Sequence, residues 1–261
     1  MRCGWHAGPM IAIARFTVLE AWRGRQLRLV LALALLALGL GEFLGQAAVT
    51  ESLQLRETVL GALLRLMAVM TCALYIVTAV AREMQDKGLE LVFALPVPRA
   101  AYYVGKLSGF ACLALVLAGL YAALLVFYAP PGQVLLWALS LYCELLIVTA
   151  FALLAALAFA QATPAFVLLA AFYLLARSIA AMELMAGGPL VDSEAPSQRF
   201  IQAMVHGIAL LLPDLGRFTR GEWLAYATGA WSDLWSVMLQ TVAYVLLLSA
   251  MALFDLERRT L

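Results

Sequence analysis

Residues 82–106 have the sequence REMQDKGLELVFALPVPRAAYYVGK, a charged island between two long apolar runs. Written as a helix, it separates into an apolar face and an acidic face, because positions three or four apart lie together. The apolar face contains Met84, Gly88, Leu91 and Leu95, and the acidic face contains Glu83, Asp86 and Glu90. Pro96 and Pro98 end the helix, since proline lacks an N–H and clashes with the preceding turn. We predict a short amphipathic docking helix over 83–95.

The composition around this island predicts an all-α, polytopic membrane protein. Of the 261 residues, 65% are hydrophobic and 13% are charged, whereas soluble domains are about 45–50% apolar and about 25% charged. The net charge of +1 gives no indication of nucleic-acid binding. The four cysteines are far apart and lack the spacing of a metal site. We therefore predict one transmembrane domain over 1–261, with no cofactor bound by this chain.

Hydropathy predicts six membrane spans, each long enough for a hydrocarbon core that needs ~17–25 residues. The spans cover 27–46, 59–81, 107–128, 134–160, 165–182 and 234–254. Before them, 8–26 has an apolar stripe typical of an amphipathic helix in the inner interface. A cleaved secretory signal is the alternative interpretation of the first span, because basic residues precede its apolar run.

The segment 183–232 differs from the spans because glycine, proline and polar residues interrupt it. Its apolar part, 200–212, is too short to cross a membrane. Thr219 and Glu222 have the spacing of a capping box, which predicts a second short helix over 221–231. We predict that both are re-entrant or interfacial helices on the outer side.

The distribution of basic residues predicts the orientation. Six spans place both termini on one side, and the positive-inside rule makes that side the cytoplasm. With this choice, most basic residues, including those of 82–106, are cytoplasmic. Arginine far outnumbers lysine and asparagine is absent, which we take as the usage of a GC-rich bacterium. The predicted location is the bacterial inner membrane.

Two opposite charges are predicted near the centre of the membrane, where a charge costs roughly 2.5–3.5 kcal/mol. Glu144 and Arg177 lie at similar depths on consecutive antiparallel spans. We predict that they pair or line a cavity, and a purely structural ion pair is the alternative. Exchanging the two charges is then expected to restore folding lost by either change alone. Arg65 lies nearer a span end, and we predict that it snorkels outward.

The segment 82–106 resembles the cytoplasmic loop of ABC-2-type permeases, the membrane subunits of ABC exporters. That loop has an acidic residue, then Lys-Gly-x-Glu, then Leu-x-Pro-x-x-Arg, then Gly-Lys. The matching residues here are Glu83, Lys87, Gly88, Glu90, Leu95, Pro96, Arg99, Gly105 and Lys106. The layout of an interfacial helix, six spans and a broken outer segment is also similar. Pro98 departs from the family, which often has a small polar residue there.

The resemblance implies that 83–95 is a coupling helix that docks in a groove of a separate ATPase subunit. Two permease chains, identical or related, would work with two ATPase chains, and lipid would surround them. ATP and magnesium are expected in the ATPase, since this chain has no phosphate-binding P-loop. The acidic face would meet basic groups of the groove, with Met84, Leu91 and Leu95 as apolar contacts. Pro96 to Lys106 would pass the motion to the third span.

Three other functions remain open at this stage. A secondary transporter or channel usually has more ionisable groups or broken helices in its spans. An intramembrane enzyme is disfavoured, because the HExxH signature is missing and only two histidines are present. A non-transporting membrane anchor for an ATPase complex would share the docking helix. The apolar character of the spans suits a lipid or hydrophobic substrate for an exporter.

Overall fold

The computed structural model describes residues 7–23, 26–47, 52–86, 98–186 and 196–258. All regular structure in these ranges is helical. A 3-10 turn, Leu215–Arg217, lies between the helices Pro196–Leu211 and Gly221–Ala225. The helices are α1 (Ala7–Arg23), α2 (Gln26–Ala47), α3 (Ser52–Gln85), α4 (Arg99–Leu125), α5 (Pro131–Phe159), α6 (Ala162–Ala186), α7 (Pro196–Leu211), α8 (Gly221–Ala225) and α9 (Trp231–Arg258).

Five helices in the described ranges are long and apolar enough to cross a membrane. They are α3 from Arg56, α4, α5, α6 to Glu183, and α9. The prediction of an all-α fold is thus confirmed for the described residues, and these five helices are compatible with a multi-pass membrane protein. The predicted first span, 27–46, coincides with α2, whose described apolar part, Ala32–Phe43, is shorter than a span. The count of six spans stays a prediction.

Helix α5 is the centre of the bundle and packs against α3, α4, α6 and α9. Its side chains are buried for most of the length between Val134 and Leu157. Several are alanines, whose small side chains let neighbouring helices approach closely. Close packing of this kind holds helices together in a membrane, where water supplies no hydrophobic driving force between them. The chain reverses at 126–130, before α5, and at 160–161, after it, where Ala160 has a left-handed φ of 53°. We call these the 130 end and the 160 end.

The predicted docking helix is described only at its start. Helix α3 continues without a break to Gln85, so Glu83 and Met84 form the last turn of the second span's helix. Asp86 follows in a turn and is exposed. Helix α4 begins directly after Pro98, whose φ of −62° suits the position before a helix. Arg99 and Lys106 are described, whereas the remaining predicted docking residues lie outside the described residues: Lys87, Gly88, Glu90, Leu91, Leu95 and Pro96.

The segment 183–232, which precedes α9, differs from its prediction in the second of its two short helices. Helix α7 covers the predicted segment 200–212 except its last residue, but α8 stops at Ala225, so the prediction of a helix to 231 is wrong. The chain turns away because Ala227 has a left-handed φ of 52°. The predicted capping box is also wrong, since Arg220 occupies the N-cap without a side-chain hydrogen bond. The Thr219 hydroxyl is used elsewhere, as described below.

Helix α1 lies along α4, and Gly109 is a point of close approach. A Cβ atom at Gly109 would lie 2.8 Å from Cβ of Thr17 and 3.1 Å from the Ala14 carbonyl oxygen. Elsewhere on α1, Ile11 and Phe16 are exposed. The helix predicted over 8–26 is therefore present as Ala7–Arg23, and it packs through small residues.

We expect Gly109→Ala to destabilise the protein by about 1–3 kcal/mol, because the added methyl forces α1 away from α4. Gly119→Ala is the matched control on the same helix, since a Cβ there meets nothing within 4 Å. Both changes raise helix propensity by up to about 1 kcal/mol, so the difference reports the contact. Thermal unfolding in detergent, with proteolysis of α1 as a second measure, tests this. Equal midpoints for the two variants would contradict it.

Candidate functional site

A buried carboxylate lies halfway along α5. Glu144 is about 20 Å from the start of the helix at ~1.5 Å per residue, and its side chain is fully buried. One oxygen, Oε1, accepts a hydrogen bond from the Tyr173 hydroxyl at 2.8 Å. The other, Oε2, accepts from the Thr219 hydroxyl at 2.8 Å. Both oxygens therefore accept hydrogen bonds, as polar atoms in an apolar interior require.

Arg177 lies beside this carboxylate. Its Nη1 atom is 3.8 Å from Glu144 Oε1, so the two residues predicted to lie at equal depth form an ion pair. The same Nη1 donates to the Phe218 carbonyl oxygen at 3.0 Å and to the Leu215 carbonyl oxygen. The Arg177 side chain is 23% exposed. The arginine thus joins α6 both to α5 and to the chain between α7 and α8.

We call residues 212–220 the inner loop, because this part of the chain enters the helix bundle. The word inner refers to the inside of the bundle and not to the cytoplasmic side. Leu215, Phe218 and Thr219 are almost fully buried. The Thr219 N–H donates to Ser140 Oγ at 2.9 Å. Thr219 has a φ of 45°, a left-handed conformation that is strained for a β-branched residue. The strain persists because the surrounding hydrogen bonds fix this residue.

Arg65 also contacts the inner loop. Its Nη1 donates to the Thr219 carbonyl oxygen at 3.3 Å, so the prediction that Arg65 snorkels outward is wrong. The physical reason is that the loop brings a carbonyl acceptor to the arginine within the bundle. Asp214 supports the loop from within, since its carboxylate accepts from the Gly216 N–H and pairs with Arg217 at 2.8 Å.

We call Glu144, Arg177, Arg65, Tyr173 and Ser140 the buried cluster. Its polar groups hold the inner loop against α3, α5 and α6. The prediction from sequence identified Glu144 and Arg177 but missed Tyr173, Ser140 and the loop. Helical spacing was an available signal, because Ser140 is four residues before Glu144 and Tyr173 is four residues before Arg177.

A second group of charged contacts lies at the 160 end. Lys106 Nζ is 2.6 Å from Glu83 Oε2, which joins α4 to the last turn of α3. The Lys106 side chain is only 7% exposed. Its ammonium group lies 6.0 Å from the centre of the Tyr102 ring, within the range of a cation–π contact. Met84 packs against the hydrophobic core.

Arg99 completes this group by capping another helix. Its Nη1 donates to the Leu256 carbonyl oxygen at 2.7 Å and to the Glu257 carbonyl oxygen at 3.1 Å. These carbonyls belong to the last turn of α9, where the helix itself supplies no donors. We call the Glu83–Lys106 pair and the Arg99 cap the end clamp. It ties the ends of α3, α4 and α9 together on both sides of 87–97.

Comparisons with known proteins give no relationship, since no family model and no curated protein matches this chain. The function is therefore argued from the residues and contacts above.

Proposed function

We propose that this chain is the permease subunit of an ATP-driven exporter of the ABC-2 type. It works as a dimer, with two copies of a separate ATPase subunit that binds ATP and magnesium. Support comes from the residue pattern of 82–106 and from the multi-pass helical fold. The observation that carries the proposal is the end clamp. We call residues 87–97 the docking segment. The end clamp fixes both of its flanks to α3, α4 and α9, the helices that would move during transport.

The proposed mechanism is mechanical. Nucleotide binding closes the ATPase dimer, and each docking helix moves with it as a rigid body. The ion pair of Glu83 with Lys106 passes the displacement into α3 and α4. The Arg99 cap passes it into α9. In the proposed orientation, the 160 end and both termini lie on the cytoplasmic side of a bacterial inner membrane.

The buried cluster bears on the main alternative, a secondary transporter or channel. Ionisable residues within spans often mark transport pathways, and Glu144 and Arg177 are such residues. Here their hydrogen bonds go to Tyr173 and to the inner loop. This use as loop anchors favours the permease over a transporter that moves ions through these groups. A non-transporting anchor would share the docking segment, so only an assay of substrate transport distinguishes it from a permease.

The test is a pull-down of tagged protein in mild detergent, with mass spectrometry and an ATPase assay of the eluate. We expect a stoichiometric ATPase whose recovery falls about tenfold or more in Glu90→Lys, because like charges across an interface cost several kcal/mol. Glu222→Lys is the control, since this exposed carboxylate lies in α8, near the 130 end. A preparation without ATPase, or equal recovery from both variants, would contradict the proposal.

A further inference from the structure

The buried cluster contains more positive than negative charge. Arg65 and Arg177 contribute two positive charges and Glu144 contributes one negative charge, which leaves one positive charge in excess. The nearby pair of Asp214 with Arg217 adds one charge of each sign and does not change this sum. The count covers the buried cluster and this pair, and it leaves out Arg220, which is exposed at the end of the inner loop.

The two arginines lie next to each other. Arg65 donates to the carbonyl of Thr219 and Arg177 to the carbonyl of Phe218, and these are successive residues of the inner loop. The Nε atom of Arg65 is buried and has no hydrogen-bond partner. A charged donor left unsatisfied in an apolar interior costs more than a neutral one. The cluster therefore has both an unbalanced charge and an unused donor.

We propose that Arg65 and Arg177 bind one anionic group at the inner loop, a carboxylate or a phosphate oxyanion. Guanidinium groups suit these ligands, because their planar fork matches two oxygens of either anion. The Arg177 side chain is 23% exposed, so the anion would approach the two arginines from the side of Arg177. The anion is either dissolved in water or part of an anionic lipid headgroup. The proposal concerns this chain alone and does not depend on an ATPase partner.

The test measures the thermal unfolding midpoint of the purified full chain by tryptophan fluorescence. In the first arm, inorganic phosphate is titrated in detergent at constant ionic strength, with chloride as the balancing anion. In the second arm, nanodiscs of phosphatidylcholine are compared with nanodiscs that contain phosphatidylglycerol. We expect a saturable rise of roughly 3–6 °C at ten times the dissociation constant in at least one arm. A response to phosphate indicates a dissolved anion, and a response to phosphatidylglycerol alone indicates a headgroup.

Matched variants separate the site from general salt effects. Arg65→Gln is expected to abolish the rise. Arg56→Gln is expected to retain it, because Arg56 also has a buried Nε without a partner but contacts Glu42 and Tyr128 instead of the inner loop. If Arg65→Gln does not fold, Arg65→Lys is used, which keeps the charge, loses the planar fork and should weaken binding at least threefold. The proposal is overturned by a wild-type protein without a saturable rise in either arm. It is equally overturned if the replacement at Arg65 leaves the affinity unchanged.

Discussion

Replacing Glu144 with leucine is expected to lower the free energy of unfolding by about 3–5 kcal/mol, the usual loss when one partner of a buried ion pair is removed. The loss is large because Glu144 is fully buried and accepts hydrogen bonds from Tyr173 and Thr219. All these donors, together with Arg177, would remain in the bundle without their carboxylate. Denaturant unfolding in mixed micelles, followed by fluorescence, measures the change.

Glu144→Gln is the matched control for this prediction. Glutamine keeps the shape and one acceptor oxygen, so we expect less than half of the loss seen with leucine. Thr219→Val removes only the hydroxyl bond to the carboxylate, and we expect a loss of about 1–3 kcal/mol. A loss below about 1 kcal/mol for Glu144→Leu would show that the cluster does not hold the inner loop.

The contacts of Arg177 change what a charge exchange should do. From the sequence alone, exchanging Glu144 and Arg177 is expected to restore folding. In the structure, Arg177 also donates to the carbonyl oxygens of Leu215 and Phe218. A glutamate at position 177 would turn a carboxylate toward these acceptors, and no donor would replace the guanidinium. We now expect the double exchange to remain destabilised.

The helices were predictable because each depends on a long local run of apolar residues. The runs that became α3, α4, α5, α6 and α9 exceed the length of a hydrocarbon core, and no tertiary contact is needed to identify them. Their depth also gave the proximity of Glu144 and Arg177. Such predictions use only spacing along one or two neighbouring helices.

The inner loop was not predictable, because its contacts join distant parts of the sequence. Thr219 has the local spacing of a capping residue, yet its hydroxyl donates to Glu144, which is 75 residues away. Arg65 donates to a carbonyl 154 residues away. In both cases a long-range acceptor in the bundle replaced the local or solvent partner that the sequence suggests.

The 160 end shows the same limit. Arg99 and Lys106 were predicted as docking residues because they belong to the charged pattern of 82–106. Arg99 caps α9, whose carbonyl groups lie 157 and 158 residues away. Packing of α9 against α5 brings that helix end into reach. A charge in a loop motif can thus also serve the bundle itself, while its role in docking stays a prediction.

The end clamp gives a second large prediction, which is an asymmetry between its two partners. Glu83→Gln is expected to cost about 2–3 kcal/mol, because it leaves the ammonium of Lys106 buried without a counter-charge. This is below the about 3–5 kcal/mol usual for a buried pair, since lysine at a helix end can partly reach water. Lys106→Met is expected to cost about 1 kcal/mol or less. Methionine suits the 7% exposed site, and Glu83, at 23% exposed, stays partly hydrated.

The double variant, Glu83→Gln with Lys106→Met, tests whether the two side chains act as a pair. Because the double variant contains no buried unpaired charge, its loss should be smaller than the sum of the single losses by about 1–2 kcal/mol. Unfolding midpoints of all four proteins in the same detergent give this coupling energy. Equal losses from the two single variants, or strict additivity, would show that burial of Lys106 does not depend on Glu83. The two side chains would then be too weakly coupled to pass a displacement from the docking segment into α3 and α4.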